Sequence, residues 1–166
     1  ALADVVHARL PLCERGRELG EQARTIPSVR GDDDARRRIV VFGLIQIEPG
    51  NGLPSAHPDK LRGLRFSDPL AEALRLKPLR AAGEVLIGLT HIGYTQDLLL
   101  AKQWPAIDVI IGGHSHTRVD PAENVGGVLV AQAGSDNRFL GRIDLKLRNG
   151  RILEKKGVLI DLGRRT

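Results

Sequence analysis

Three uninterrupted apolar runs constrain this chain most: Arg38–Gln46 (RIVVFGLIQ), Glu84–Thr90 (EVLIGLT) and Ile107–Ile111 (IDVII). A strand with one face in water alternates polar and apolar residues. A run that does not alternate suits a strand buried on both faces, inside a sheet covered by helices. Helix signals lie between the runs. Asp68-Pro69 offers an N-cap and a first helical residue, and Leu70, Ala73, Leu74 and Leu76 follow at helical spacing. Pro78 should kink or divide that helix, and Gly83 should end it. Gln96–Gln103 reads as a second, short helix stopped by Pro105. Strand, helix and strand in alternation give an α/β fold, mixed sheets layered with helices. The three apolar strands are expected side by side.

The flanks are less regular. Val5–Leu10 reads as a short strand and Pro11–Arg24 as a loop. Thr25–Val29 reads as an edge strand, turned at Gly31-Asp32-Asp33-Asp34 to make a hairpin with Arg38–Gln46. Ile47–Arg65 carries three prolines and three glycines and reads as a long loop, often a functional one. Val128–Gln132 and Phe139–Leu147 are further strands, expected to pair with each other or to join a second sheet. Asn149-Gly150 is a two-residue hairpin turn that brings Arg151–Ile160 back antiparallel.

Charge and composition exclude several classes. The net charge of +5 comes from 25 basic and 20 acidic residues that are mostly scattered. A nucleic-acid surface needs a longer basic patch, with exposed aromatics for single strands, so no nucleic-acid partner is expected. Arg36–Arg38 reads as the solvated start of a strand. No run of about 18 apolar residues is present to span a membrane. The single cysteine, Cys13, cannot make an intrachain disulfide and reads as an inert thiol. The chain begins at Ala1, and no signal peptide opens it.

Five histidines occur. His57 falls in the proline-rich loop and reads as a surface residue, and His7 as a structural one. His91 directly follows the second apolar strand. His114 and His116 follow the third after Gly112-Gly113. Ligands commonly bind beyond the carboxyl ends of parallel strands, so neighbouring strands would bring these three imidazoles to one rim. Imidazole suits Zn, Mn, Fe, Ni or Co equally well. Ser115 and Thr117 are candidates to hydrogen-bond around such a site. Glycines after a strand also mark plain turns, and a histidine there is as readily a surface residue. Trp104 is expected to pack its helix on the sheet, and Tyr94 to serve local packing.

The run LTHIGYTQDLLLAKQWPAIDVIIGGHSHT resembles the metallophosphoesterase superfamily in its 5'-nucleotidase branch, which also holds UDP-sugar hydrolases and 2',3'-cyclic phosphodiesterases. That branch reads L-S/T-H-x-G, then D and A, then I/V-D-x-I-I-G-G-H-S/T-H. VVHARL, RRIVVFGLIQ, GLRFSDPLAEALR and AQAGSDNRFLGRIDLKLRNGRI resemble its neighbouring segments, so nearly the whole chain is covered. The resemblance implies a partial calcineurin-like fold and two divalent metal ions. His91 and His114 would bind one ion and His116 the other. Asp97 matches an often acidic position and reads as structural at a helix start.

The branch also has D-x-H, G-D-x-x and G-N-H-E/D motifs; the first and last do not stand in this chain, and Gly31-Asp32-Asp33 resembles the G-D motif only superficially, in a hairpin turn after the point where those motifs should have ended. Residues 1–166 are therefore expected to be the C-terminal part of a metallophosphoesterase domain, without its nucleotide-binding domain, and no catalytic residue is identified among them. The implied function is hydrolysis of phosphate esters of nucleotides or related compounds by metal-activated water, in the periplasm or outside the cell. The alternative is a non-catalytic remnant that keeps the fold. A Rossmann-like nucleotide binder is a weaker reading, since G-x-G-x-x-G is absent. A half-domain should leave sheet surface open to self-association.

Overall fold

A computed structural model describes residues 24–30, 36–77, 81–149 and 151–163. In chain order they form β1 (Arg24–Arg30), β2 (Arg36–Ile45), α1 (Pro58–Leu61), α2 (Pro69–Arg75), β3 (Val85–His91), α3 (Tyr94–Gln103) and β4 (Val109–Ile111). Then come β5 (Glu123–Val125), β6 (Val128–Ala131), β7 (Phe139–Arg148) and β8 (Arg151–Asp161). The expectations for Val5–Leu10, His7, Cys13, the Pro11–Arg24 loop up to residue 23, the Gly31–Asp34 turn, Pro78 and Gly150 lie outside the described residues.

The main sheet runs β1-β2-β3-β4-β6-β5. Its four inner strands are parallel, and β1 and β5 close the edges antiparallel. The three apolar runs are neighbours, as expected, with Gly43 beside Leu89 and Leu89 beside Ile111. The fold is α/β, a mixed sheet with helices on one side.

One expectation is corrected. Val128–Gln132 neither pairs with Phe139–Leu147 nor enters a second sheet. β6 extends the main sheet beside β4, and β7 pairs with β8 in a separate two-stranded sheet. The reason is apolarity on both faces. Val128, Leu129 and Val130 are all buried, so β6 has the character of an inner strand. β7 instead alternates charged residues with glycine and aliphatics, which suits a sheet wet on one face.

Helices α2 and α3 cover one face of the sheet. Phe42 of β2 stacks on Trp104 at 5.2 Å between ring centroids, so Trp104 fastens α3 to the sheet as expected. Leu86, Leu100, Ile107, Ile110 and Val130 complete this core, each almost fully buried and each contributing roughly 1.5–3 kcal/mol by leaving water. Asp68 caps α2 by accepting from Ala71 N at 2.8 Å, and Pro69 is its first residue. The helix ends at Arg75 rather than running to Gly83. It therefore packs along one narrow line, Leu70, Ala73 and Leu76, and Leu74 points outward. α3 starts at Tyr94, two residues earlier than expected, with Gly93 at its N-cap.

The β7–β8 hairpin lies on the other face. Ala122 N donates to Gly157 O at 3.0 Å, and Lys155 Nζ donates to Asp108 O at 3.0 Å. Two elements had no sequence signal strong enough to be expected: α1, inside the proline-rich loop and capped by the exposed His57, and the three-residue β5.

Candidate metal centre

His91 is the last residue of β3, paired in register with Ile45. β4 ends at Ile111, and Gly112-Gly113 carries the chain over the sheet rim to His114. The His91 and His114 rings meet edge to face, with centroids 5.2 Å apart. Close approach makes this possible, because a Cβ on Gly113 would stand 3.1 Å from His91 Nδ1. His116 lines a cavity together with Arg118 and the loop around Asp136. The His91 and His114 rings are thus brought together, and His116 stands two residues on, beside a neighbouring cavity.

The loop holding His114 and His116 is strained and braced. Both histidines have left-handed backbones, with φ of 76° and 55°. Such conformations cost roughly 1–3 kcal/mol each in a residue with a side chain, and they persist only where surroundings enforce them. Gln132, just past the end of β6, does much of the enforcing. Its Oε1 accepts from Ser115 Oγ at 3.0 Å and from Thr117 N at 3.2 Å. Its Nε2 donates to Gly113 O at 3.2 Å and to Asp97 Oδ2 at 3.1 Å. Thr90, next to His91, donates to Asp97 Oδ1 at 2.6 Å. Tyr94 N donates to Ser115 Oγ at 3.0 Å, tying the loop to the start of α3. One network therefore positions both histidine-bearing segments.

Asp97 is fully buried at the centre of that network. Burial pushes its carboxyl above the usual carboxylate range, against the hydrogen bonds from Thr90 and Gln132, which favour the charged form. Sequence reading placed Asp97 at a helix start, which is correct, but not its inward direction. The signal was available. Asp97, Leu100, Ala101 and Trp104 recur at helical spacing and share the buried face of α3. Gln132 was missed outright. Its one sequence signal is a polar residue ending the apolar run VLVA.

Among the described residues, no three His, Cys, Asp or Glu side chains gather closely enough to hold a metal ion. His91 and His114 are the two imidazoles placed side by side for one ion, and among the described residues no third His, Cys, Asp or Glu joins them closely.

Over 145 residues the chain is 35% identical to the Trifunctional nucleotide phosphoesterase protein YfkN of Bacillus subtilis, a match covering 84% of this chain and 9% of that protein. It is 27% identical over 147 residues to a 5'-nucleotidase of Vibrio cholerae, covering 69% of this chain and 26% of that protein. The chain belongs to the 5'-nucleotidase type of metallophosphoesterases. A solved structure in this family, a 5'-nucleotidase precursor from Thermus thermophilus, shares the fold with a TM-score of 0.60 at 22% identity, over 84% of this chain and 29% of that one. No family model matches the chain. The two curated relatives are named as phosphoesterase and nucleotidase, both hydrolases, and metallophosphoesterases use divalent metals. The chain spans about a quarter or less of the length of these curated relatives. No helix among the described residues is long and apolar enough to cross a membrane.

Proposed function

We propose that residues 1–166 form one wall of a two-metal phosphoesterase site that hydrolyses phosphate esters of nucleotides or related compounds. The observation carrying this reading is the close, edge-to-face approach of His91 and His114 at the carboxyl ends of adjacent parallel strands. His91 and His114 hold one ion and His116 belongs to the second, with carboxylate donors supplied from outside this chain. When bound, such ions lower the pKa of a coordinated water and neutralise phosphoryl oxygens. The chain's own Gln132 and Asp97 brace the segments that carry these histidines, through Thr90, Gly113, Ser115 and Thr117. On this reading the chain is the C-terminal part of a catalytic domain that works outside the cytoplasm.

The test has two halves. Calorimetric titration of the 166-residue chain with Mn²⁺ should show weak binding that declines as pH falls, because protons compete for imidazole nitrogen. His91→Ala and His114→Ala should each weaken it strongly. Release of phosphate from AMP by the chain alone should stay near background. Joined to a segment carrying D-x-H, G-D and G-N-H-E/D motifs, the chain should turn over AMP, and His114→Ala should abolish most of that turnover. Robust metal-dependent phosphate release by residues 1–166 alone would overturn the proposal, as would Mn²⁺ affinity indifferent to both histidine substitutions.

A further inference from the structure

We propose that the cavity beside His116 is an anion subsite, in which Arg118 and Arg138 grip a phosphate-class group of the substrate other than the one attacked. The inference rests on the phosphoesterase reading for its place in catalysis, but not for its chemistry. The cavity holds about 1080 Å³, ample for a small ligand by the usual size of such sites. His116 forms part of its wall, so a substrate held at the histidine rim would extend into it.

Two guanidiniums converge on one ring here. Arg118 Cζ stands 4.5 Å from the centroid of Phe139, and Arg138 Cζ stands 5.1 Å from it. A guanidinium held against a ring has lost much of its rotational freedom, and its planar N–H fork suits bidentate contact with a phosphate. Each fork is also steadied by an acid through a single nitrogen. Arg118 Nη2 donates to Asp120 Oδ2 at 3.1 Å, and Arg138 Nη2 to Asp161 Oδ2 at 3.4 Å. Those acids are fixed in turn by backbone N–H groups, Asp120 by Leu159 at 3.2 Å and Asp161 by Gly163 at 2.9 Å. The Gly163 N–H bond, followed by Arg138 and Arg118, holds the Asp161 carboxyl below its ordinary range.

The acids neutralise the two arginines in net charge, and Asp136 on the rim adds a negative group. Asp136 accepts from Ser135 Oγ at 2.7 Å, a bond within its own loop. Recognition must therefore come from fork geometry rather than from a positive field. Ion pairs this exposed are worth roughly 0–1 kcal/mol, so a phosphate accepting from both forks can compete with them. The cavity is coupled to the histidine loop through backbone. Gly134 N donates to Thr117 O at 3.1 Å, and Arg118 bridges to Ala133.

Pyrophosphate is the probe, titrated calorimetrically into the 166-residue chain in EDTA so that no metal contributes. One saturable site is expected. Arg118→Gln/Arg138→Gln should weaken it at least about tenfold, the worth of one hydrogen bond to a charged group. Arg118→Lys, which keeps charge but loses the fork, should weaken it too. Circular dichroism checks that each variant folds, and the single lysine variant decides the matter if the double one does not. His114→Ala should bind pyrophosphate as wild type does while losing Mn²⁺, which separates this subsite from the metal reading. Absence of saturable binding, or unchanged affinity in the folded arginine variants, would overturn it.

Discussion

Gly112 sits where no side chain can be added without moving the network beneath it. A Cβ there would lie 1.9 Å from Asp97 Oδ2 and 2.9 Å from Gln132 Nε2. Neither neighbour can retreat freely, because Asp97 is fully buried and also receives Thr90. Gly112→Ala should therefore lose about 1–3 kcal/mol, as overpacked cores do, lowering Tm by several degrees in a chain of this size. Thermal circular dichroism reads this directly, and an unchanged Tm would mean that Asp97 does not pack against Gly112. At this scale the sequence was legible where residue type and strand ends suffice, as with the meeting of the His91 and His114 rings beyond β3 and β4. It was opaque where partners lie far apart in sequence. Gln132 meets Asp97 across 35 residues and Ser115 across 17, and no local pattern encodes those contacts. The left-handed turns at His114 and His116 were equally hidden, since histidine enters that region more often than most residues but still uncommonly.

Among the elements, continuous apolar runs made β2, β3 and β4 readable, because burial on both faces writes itself into every residue of a strand. β6 was readable as a strand but not as to its sheet. Its neighbour in space is β4, while the next strand in sequence, β7, turns away to pair with β8. β5 has only Glu-Asn-Val to mark it. Its attachment to α3 is a tertiary contact: the Tyr94 hydroxyl donates to the Glu123 carboxylate. That hydrogen bond, then burial and the negative charge of Glu123, push Tyr94 up from 10 to about 12. A raised native value means the folded state holds the proton more tightly than the unfolded one. The stabilisation is then fully present below pH 10 and is lost as pH rises from about 10 to about 12. Tyr94 is the sole tyrosine, so ultraviolet absorbance of the phenolate follows it without assignment. The midpoint should lie near 12 in the native chain, and Glu123→Gln should return it toward 10. A native midpoint at the ordinary tyrosine value would show that α3 and β5 are not joined in this way.

On the scale of the whole molecule, the two faces of the main sheet are unequally covered. Leu44, Thr90 and Ile110 are buried on the helix side. Strand alternation puts Ile45, Leu89 and Ile111 on the opposite side, at the carboxyl ends that the β7–β8 hairpin does not reach. They remain 48%, 39% and 38% exposed. With Leu64, Phe66 and Pro69 they line an open cavity of about 640 Å³ whose wall includes His91. Leu140, Val158 and Ile160 add a second exposed apolar group on the hairpin, where register pairs Leu140 with Ile160. Contiguous apolar surface of this kind usually marks an interface, and a strand edge beside it offers unpaired backbone to a second copy. The 166-residue chain should therefore enhance the fluorescence of an apolar dye at neutral pH, and its average mass in sedimentation should rise with concentration. Leu89→Ser/Ile111→Ser should reduce both signals. It should also lower Tm by several degrees, because each side chain is still more than half covered by the chain. If the wild-type chain is a dye-silent monomer at all concentrations, this face is not an interface.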